Sequence, residues 1–464
     1  MTRRRHSHSE PVTSLAAVCL CVLALAKCVA FDESDSAATK AWGAPERLHD
    51  RGGFPEIAMD SKGNAIVLFG HWLTFGETST TRAARFTPGS GWSEAEQIDL
   101  GVINGGRAGP RQIVLTPDGN AIAVWHQTVD ERESIFANHY AVGSGWGTAE
   151  PIGRDGGGSA RDPDVAVDAE GSALAVWHQS DGTREDVWFN RFTPTDGWGR
   201  AALVEHDDVG DALGPRIAMA PDGTATAVWH QFDGSHENVW SNRFTPGIGW
   251  GIPRTIEDMS AGDALEPKVA MDADGNAIAV WHQFDGTRFN VWSNRYDSDG
   301  GWTEAHRLEE SNAGDATDPH VAMNPKGTAA AVWQQFDGRS FGIWCSRYTP
   351  SAGWRTAEPV ETHELGDSLE PRVAIDPAGN AMAVWYRNDG AHDNIWANHY
   401  RANRGWGEAQ RIDHYDGGIV HQPRVAMDPD GNAIAVWLVW TDVGDGVFGL
   451  WSRRFADEKP ALGN

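Results

Sequence analysis

Seven tryptophans, Trp125, Trp177, Trp229, Trp281, Trp333, Trp385 and Trp437, follow one another at intervals of 52 residues, and Phe69 holds the same place in an earlier copy. A period of this length marks a chain built from copies of one supersecondary unit. The copy from Pro267 to Glu309 reads as four short strands. Pro267–Asp272 leads through Asp274-Gly275-Asn276 into Ala277–Gln283. Asp285-Gly286 leads into Asn290–Tyr296, and Asp299-Gly300-Gly301 turns into Trp302–Leu308. In the second strand Ala277, Ala279 and Trp281 alternate with Ile278, Val280 and His282, so both faces are apolar enough to need cover. Such a unit is not stable alone, and its neighbours must supply that cover.

Two further tryptophan series keep the same rhythm. One is Trp188, Trp240, Trp292, Trp344, Trp396 and Trp451, with Arg82 and Phe136 in the first two units. The other is Trp42, Trp92, Trp146, Trp198, Trp250, Trp302, Trp354 and Trp406. Together the three series take 21 of the 23 tryptophans and leave Trp72 and Trp440. The ends of the repeat array are complementary. Residues 42–48 match a fourth strand without the preceding three, and Leu450–Phe455 match a third strand without a fourth. An open β-solenoid would leave both remnants as exposed edges, whereas a ring joins them. The expected fold is all-β: an eight-bladed β-propeller of four-stranded antiparallel blades over 42–455, closed by strand 42–48 in the last blade, with a tail at 456–464.

Residues 1–28 read as an export signal: Arg3, Arg4 and Arg5 precede an apolar run, Ser14–Ala26, that is too short to span a membrane. Leu25-Ala26-Lys27-Cys28 resembles a bacterial lipobox with Lys in its third place, which leaves two outcomes: lipidation at Cys28, the one route to a membrane, or cleavage after Ala26 or Ala30 and secretion. Residues 29–41 read as a polar tether. Three of the four cysteines belong to this leader, so Cys345 stands alone in the body and no disulfide braces the ring. Without residues 1–28 the chain carries 34 basic and 64 acidic residues. That balance argues against nucleic acid and anionic membrane surfaces as partners.

Strand 1–2 and 3–4 turns are tight, so the longer 2–3 and 4–1 connections gather on one face, the expected binding surface. There His126, His178, His230 and His282 follow the strand-2 tryptophan in four consecutive blades. Symmetry sets them too far apart for one metal, and structural capping is the simpler role. Asp211, Asp263, Asp315 and Asp367 precede first strands and could hold Ca²⁺, although turn-forming aspartates bonding backbone N–H groups also account for them. Asp272-Ala273-Asp274-Gly275-Asn276 resembles the start of a calcium loop but lacks the distal glutamate, and reads as a hairpin. The first and last blades break the repeat with longer 2–3 loops. These carry His71, Trp72 and Phe75, and Trp440, Asp442 and Asp445, the expected ligand-binding residues.

His282-Gln283-Phe284-Asp285-Gly286 and Trp292-Ser293-Asn294-Arg295-Tyr296 resemble exported bacterial tandem-repeat proteins, often lipoproteins, whose unit runs AVWxQxDGxxxxIWxNRYxxxxGW. Weaker likenesses are to sialidase-type and eight-bladed quinoprotein propellers. No adjacent cysteine pair occurs, and the tryptophan-docking spacing of the quinoproteins is off by a residue, so no cofactor is carried over. Of the six tyrosines, four sit at the repeat's own position, and Arg216, Lys268, Arg372 and Arg424 also follow the repeat. No one-off catalytic set stands out. The expected function is non-catalytic recognition of surface glycans or a protein, ahead of an envelope-assembly scaffold and of a glycan hydrolase or lyase.

Overall fold

The computed structural model describes residues 40–457 apart from 75–76, 102–107, 155–157, 206–208, 258–261, 311–312, 363–365, 415–418 and 442–446. The chain forms eight antiparallel sheets, each a propeller blade. Blade 5 shows the plan. Its strands are Ala264–Met271, Ala277–Phe284 and Phe289–Asp297, followed by a fourth in two pieces, Gly301–Trp302 and His306–Arg307. First strands of successive blades lie side by side around the axis.

The alternation of strand 2 has the consequence expected of it. Trp281 is fully buried against Val228, Val239 and Ile256 of blade 4, while Ile278 and Val280 pack with Trp333 of blade 6. The indole keeps a donor that needs a partner even in an apolar core. Gln283 supplies it: Trp281 Nε1 donates to Gln283 Oε1 at 3.1 Å, and Trp125, Trp177, Trp229 and Trp333 repeat the bond with their own glutamines. The Asn of the Asn-Arg pair stitches blades together. Asn294 Nδ2 donates to the Ile256 carbonyl of blade 4 (2.7 Å) and to Thr303 O of its own fourth strand (2.9 Å). In blade 8 Arg453 does this work, reaching Ile412 O and Gly43 O.

The ring is closed by its own N-terminal segment. Lys40–Trp42 pairs with Phe455–Asp457, and Glu46–His49 pairs with the same strand between Leu450 and Ser452. Trp42 packs on Phe455 with centroids 5.4 Å apart. The boundaries differ by two residues at each end from those expected. Lys40 and Ala41 belong to the closing strand and not to a tether, and the last strand runs to Asp457, because the backbone ladder continues as far as paired groups remain.

The 2–3 connections of blades 1 and 8 are not the long loops that the spacing suggested. Ala65–Thr74 and Glu77–Thr87 pair as far as Thr74 with Glu77, and Ala433–Thr441 pairs with Val447–Asp457 as far as Thr441 with Val447. The extra residues lengthen strands; these runs are rich in Thr, Val and aromatic residues, which suit a pleated ribbon.

Cys345 is buried in blade 6, and burial pushes its thiol up to about 12. Thiolate is the reactive form. Alkylation at Cys345, mapped by mass spectrometry, is therefore expected to run at least roughly a hundredfold slower in the native protein than in denaturant.

Candidate functional site

Every first strand contains a proline, at one equivalent register in all blades but blade 2, where Pro110 stands one place earlier; the residue before a proline is forced out of the right-handed helical region. Here it adopts a left-handed conformation: φ is 49° at Phe54 and Asp162, 52° at Glu266, 51° at Asp318, 53° at Glu370 and 54° at Gln422, with Gly214 at 59°. Non-glycine residues are strained in this region, by about 1–3 kcal/mol each. The strand pairing slips at the same point, for instance between Leu265 and Lys268. The result is a β-bulge in each blade, a device that re-aims the side chains beside it.

The position after the proline is thereby set facing the axis. Pairing places Glu56, Gln112, Asp164, Arg216, Lys268, His320, Arg372 and Arg424 at one equivalent register, each opposite the Val or Leu three places past the start of strand 2. All eight line a single axial cavity of about 370 Å³. A second cavity of about 450 Å³ shares Arg372 and Arg424 with it and spreads over blades 5 to 8, bounded by Glu266, His282, Asp318 and Glu370. The bulges lie near the start of the first strands, so this hollow belongs to the face of the 4–1 and 2–3 connections.

Its charges are sorted. Blades 4 to 8 contribute Arg216, Lys268, His320, Arg372 and Arg424 to the register, and blades 1 to 3 contribute Glu56, Gln112 and Asp164. Arg424 Nε meets Glu56 Oε1 at 2.7 Å across the ring closure, and Arg372 Nη1 lies 3.3 Å from both oxygens of Asp318. Burial alone would lower Arg424, but Glu56 outweighs it and holds the guanidinium above its ordinary value. Asp164 is pushed up by burial, against the pull of Arg216, and accepts bonds from Val165 N and Ile217 N, both at 2.9 Å. His320 is held well below its usual value by burial and by neighbouring cations; its Nδ1 accepts from Val373 N at 3.4 Å. Burial, then Arg216, brings Lys268 down to about 7.

Blade 2 departs from the plan in one informative way. Arg111, which follows Pro110, takes the register that proline holds in the other blades, lies fully buried, and donates from Nη1 to the carbonyls of Gly53 (3.0 Å) and Phe54 (3.1 Å). Gly70 takes the place that histidine holds in blades 2 to 5, and a Cβ there would sit 3.1 Å from Arg111 Nη2. The missing side chain makes room for the guanidinium, which fastens blade 2 to blade 1.

The four histidines do not converge. A Cβ on Gly109 would fall 1.7 Å from His126 Nε2, and one on Gly214 3.1 Å from His230 Cε1, so each imidazole lies on the first strand of its own blade. Burial keeps them neutral, with His126 and His230 lowered to about 4. The four aspartates serve as latches between blades. Asp211 accepts from Glu185 N, Asp263 from Glu237 N, Asp315 from Phe289 N and Asp367 from Phe341 N, at 2.9–3.0 Å. Among the described residues no three His, Cys, Asp or Glu side chains form a metal-holding group. The hairpin reading of Asp272 holds, since its Oδ1 accepts from Asp274 N and Asn276 N.

Of the residues expected at the seam, Phe75, Asp442 and Asp445 lie outside the described residues, as does Cys28. Trp72 occupies a strand position opposite Ser79. His71 is half-buried, edge-on to His49 at 4.9 Å, and lowered to about 4 by burial first and His49 second. Trp440 packs on Phe448 at 4.8 Å. In register it matches Phe284 on Phe289 and Phe336 on Phe341, both at 5.3 Å. Trp440 is thus the blade-8 version of a recurring aromatic pair, three places past the strand-2 tryptophan, rather than a residue outside the repeat. These pairs stand at the outer ends of strands 2 and 3, on the face where the hollow opens.

No family model and no curated protein matches the chain. Solved structures do. A protein of unknown function from Dyadobacter fermentans aligns at 12% identity over 90% of this chain and 99% of its own (TM-score 0.42). A polysaccharide lyase, an ulvan lyase bound to a sulfated oligosaccharide, aligns at 8% over 88% and 95% (TM-score 0.49). A leech intramolecular trans-sialidase aligns at 8% over 90% and 92% (TM-score 0.41). At these identities the likeness assigns neither a family nor an activity, and what this propeller does has to be argued from its own axial hollow.

Proposed function

We propose that the protein is an exported recognition propeller that binds a glycan at the mouth of its axial hollow without transforming it. One observation carries this reading: at a single repeat position the eight blades present six different residue types, and all eight side chains face one cavity. Core positions repeat because every blade needs the same packing; a position facing a ligand is free to differ from blade to blade. The two joined cavities are of the size of small-molecule sites. Arg–carboxylate pairs offer fixed donors and acceptors to hydroxyl groups, and the aromatic pairs on the same face offer flat apolar surfaces to sugar rings.

A glycan array probed with wild type and with an Arg372→Ala/His320→Ala variant tests it. The variant is expected to bind at least roughly tenfold more weakly. Undiminished binding would remove the axial site. A wild type that binds no glycan favours a protein partner and the scaffold reading.

A second reading, glycan cleavage, is favoured by Lys268, which at about 7 can take up a proton at neutral pH. Glycans that bind, incubated with the protein and analysed for shortened or unsaturated products, decide between the two.

A further inference from the structure

We infer that the floor of the axial cavity takes one anionic group, a carboxylate or a sulfate ester carried by the ligand, between Lys268 and Arg216. The inference rests on the glycan reading for the rest of the ligand but on separate observations for the charge. Arg424 and Arg372 already have carboxylate partners, Glu56 and Asp318. Neither Arg216 nor Lys268 makes an ion pair among the described residues. Arg216 Nη1 turns back to its neighbour's carbonyl, Pro215 O, at 2.7 Å. Lys268 Nζ has a 3.4 Å contact with Glu266 O, long for an ammonium that can give three hydrogen bonds. The carboxylate nearest in the register, Asp164, is engaged by two backbone N–H groups.

Two cations in adjacent blades thus face the same enclosed space with no anion between them. Burial first and Arg216 second lower Lys268, against a smaller pull from Glu266. An anion seated there would give both half-buried cations a partner and offset their repulsion. The site is placed for selectivity rather than attraction at a distance. The chain carries a formal net charge of −27, so its long-range field repels acidic ligands, and only contact inside the cavity reverses that preference.

Titration calorimetry on the full chain with glucuronate, glucose 6-sulfate, glucose and inorganic sulfate tests the inference. The acidic sugars are expected to bind at least roughly tenfold more tightly than glucose. Lys268→Met is expected to abolish that preference, weakening the acidic sugars at least roughly tenfold more than glucose, and Lys268→Arg to restore part of it. If Lys268→Met fails to fold by circular dichroism, Arg216→Gln is measured in the same way. Equal affinity for acidic and neutral sugars, or a preference that survives Lys268→Met, overturns the anion site and leaves the glycan reading standing. Inorganic sulfate that binds through Lys268 while no sugar binds does the reverse. Absence of any anion binding overturns the inference outright.

Discussion

A chain lacking residues 40–49 is expected to lose most of its stability and to associate. Those residues supply the outer strand of blade 8, through two stretches of pairing with the strand Val447–Asp457 and through Trp42 on Phe455. Without them Val447–Asp457 becomes an unpaired edge, and Leu48, which packs against the blade 8–blade 1 core, is removed. Burial of one large side chain contributes about 1.5–3 kcal/mol. Losing Trp42, Leu48 and the flanking ladder together amounts to several kcal/mol, comparable with the whole stability of an ordinary domain. Urea unfolding should show a much lower midpoint, and size-exclusion chromatography should show oligomers formed through the bare edge. A synthetic 40–49 peptide added in trans should reverse part of both effects. A truncated chain that stays monomeric with an unchanged midpoint would show that the eight sheets hold without the closing strand.

The second large effect is expected at Trp281. Its indole is completely buried between blades 4 and 5 and bonded to Gln283. Replacement by Ala leaves a cavity that neither rigid sheet can collapse to fill, and it removes the indole donor from Gln283 Oε1. The expected cost is about 3–5 kcal/mol. Trp302, in the outer strand of the same blade, is only half-buried and lies edge-on to Tyr296 at 5.6 Å. Trp302→Ala should cost clearly less, about 1–2 kcal/mol. Chemical denaturation of the two variants side by side checks the ranking. Equal costs would mean that the inner tryptophans do not hold the blades together.

How much of this was legible beforehand divides along a physical line. The fold rests on contacts repeated eight times, so Trp281 and its counterparts announced both the unit and its two covered faces. The complementary remnants at 42–48 and 450–455 announced the closure. The hollow was harder to see because its residues sit inside the repeat. Arg216, Lys268, Arg372 and Arg424 look regular when only the basic ones are compared. Reading the same column through Glu56, Gln112, Asp164 and His320 as well shows a position that every other constraint has left open. Changes of length drew attention to Trp72 and Trp440 instead, yet hairpins lengthen without changing purpose, and Trp440 kept the place of Phe284. The bulge before each proline could be suspected from the proline, but not the direction in which it turns the next side chain.

That column has a consequence for how such a protein changes over time. Packing lives on the second strand, at Ala279, Val280 and Trp281, and the hollow is written one letter per blade on the first. A single codon change at Glu56 or Lys268 alters one of the eight equivalent lining positions and leaves the tryptophan layers untouched. Ligand preference can then drift in small independent steps, like a lock recut one pin at a time, while the barrel that houses the pins stays as it was.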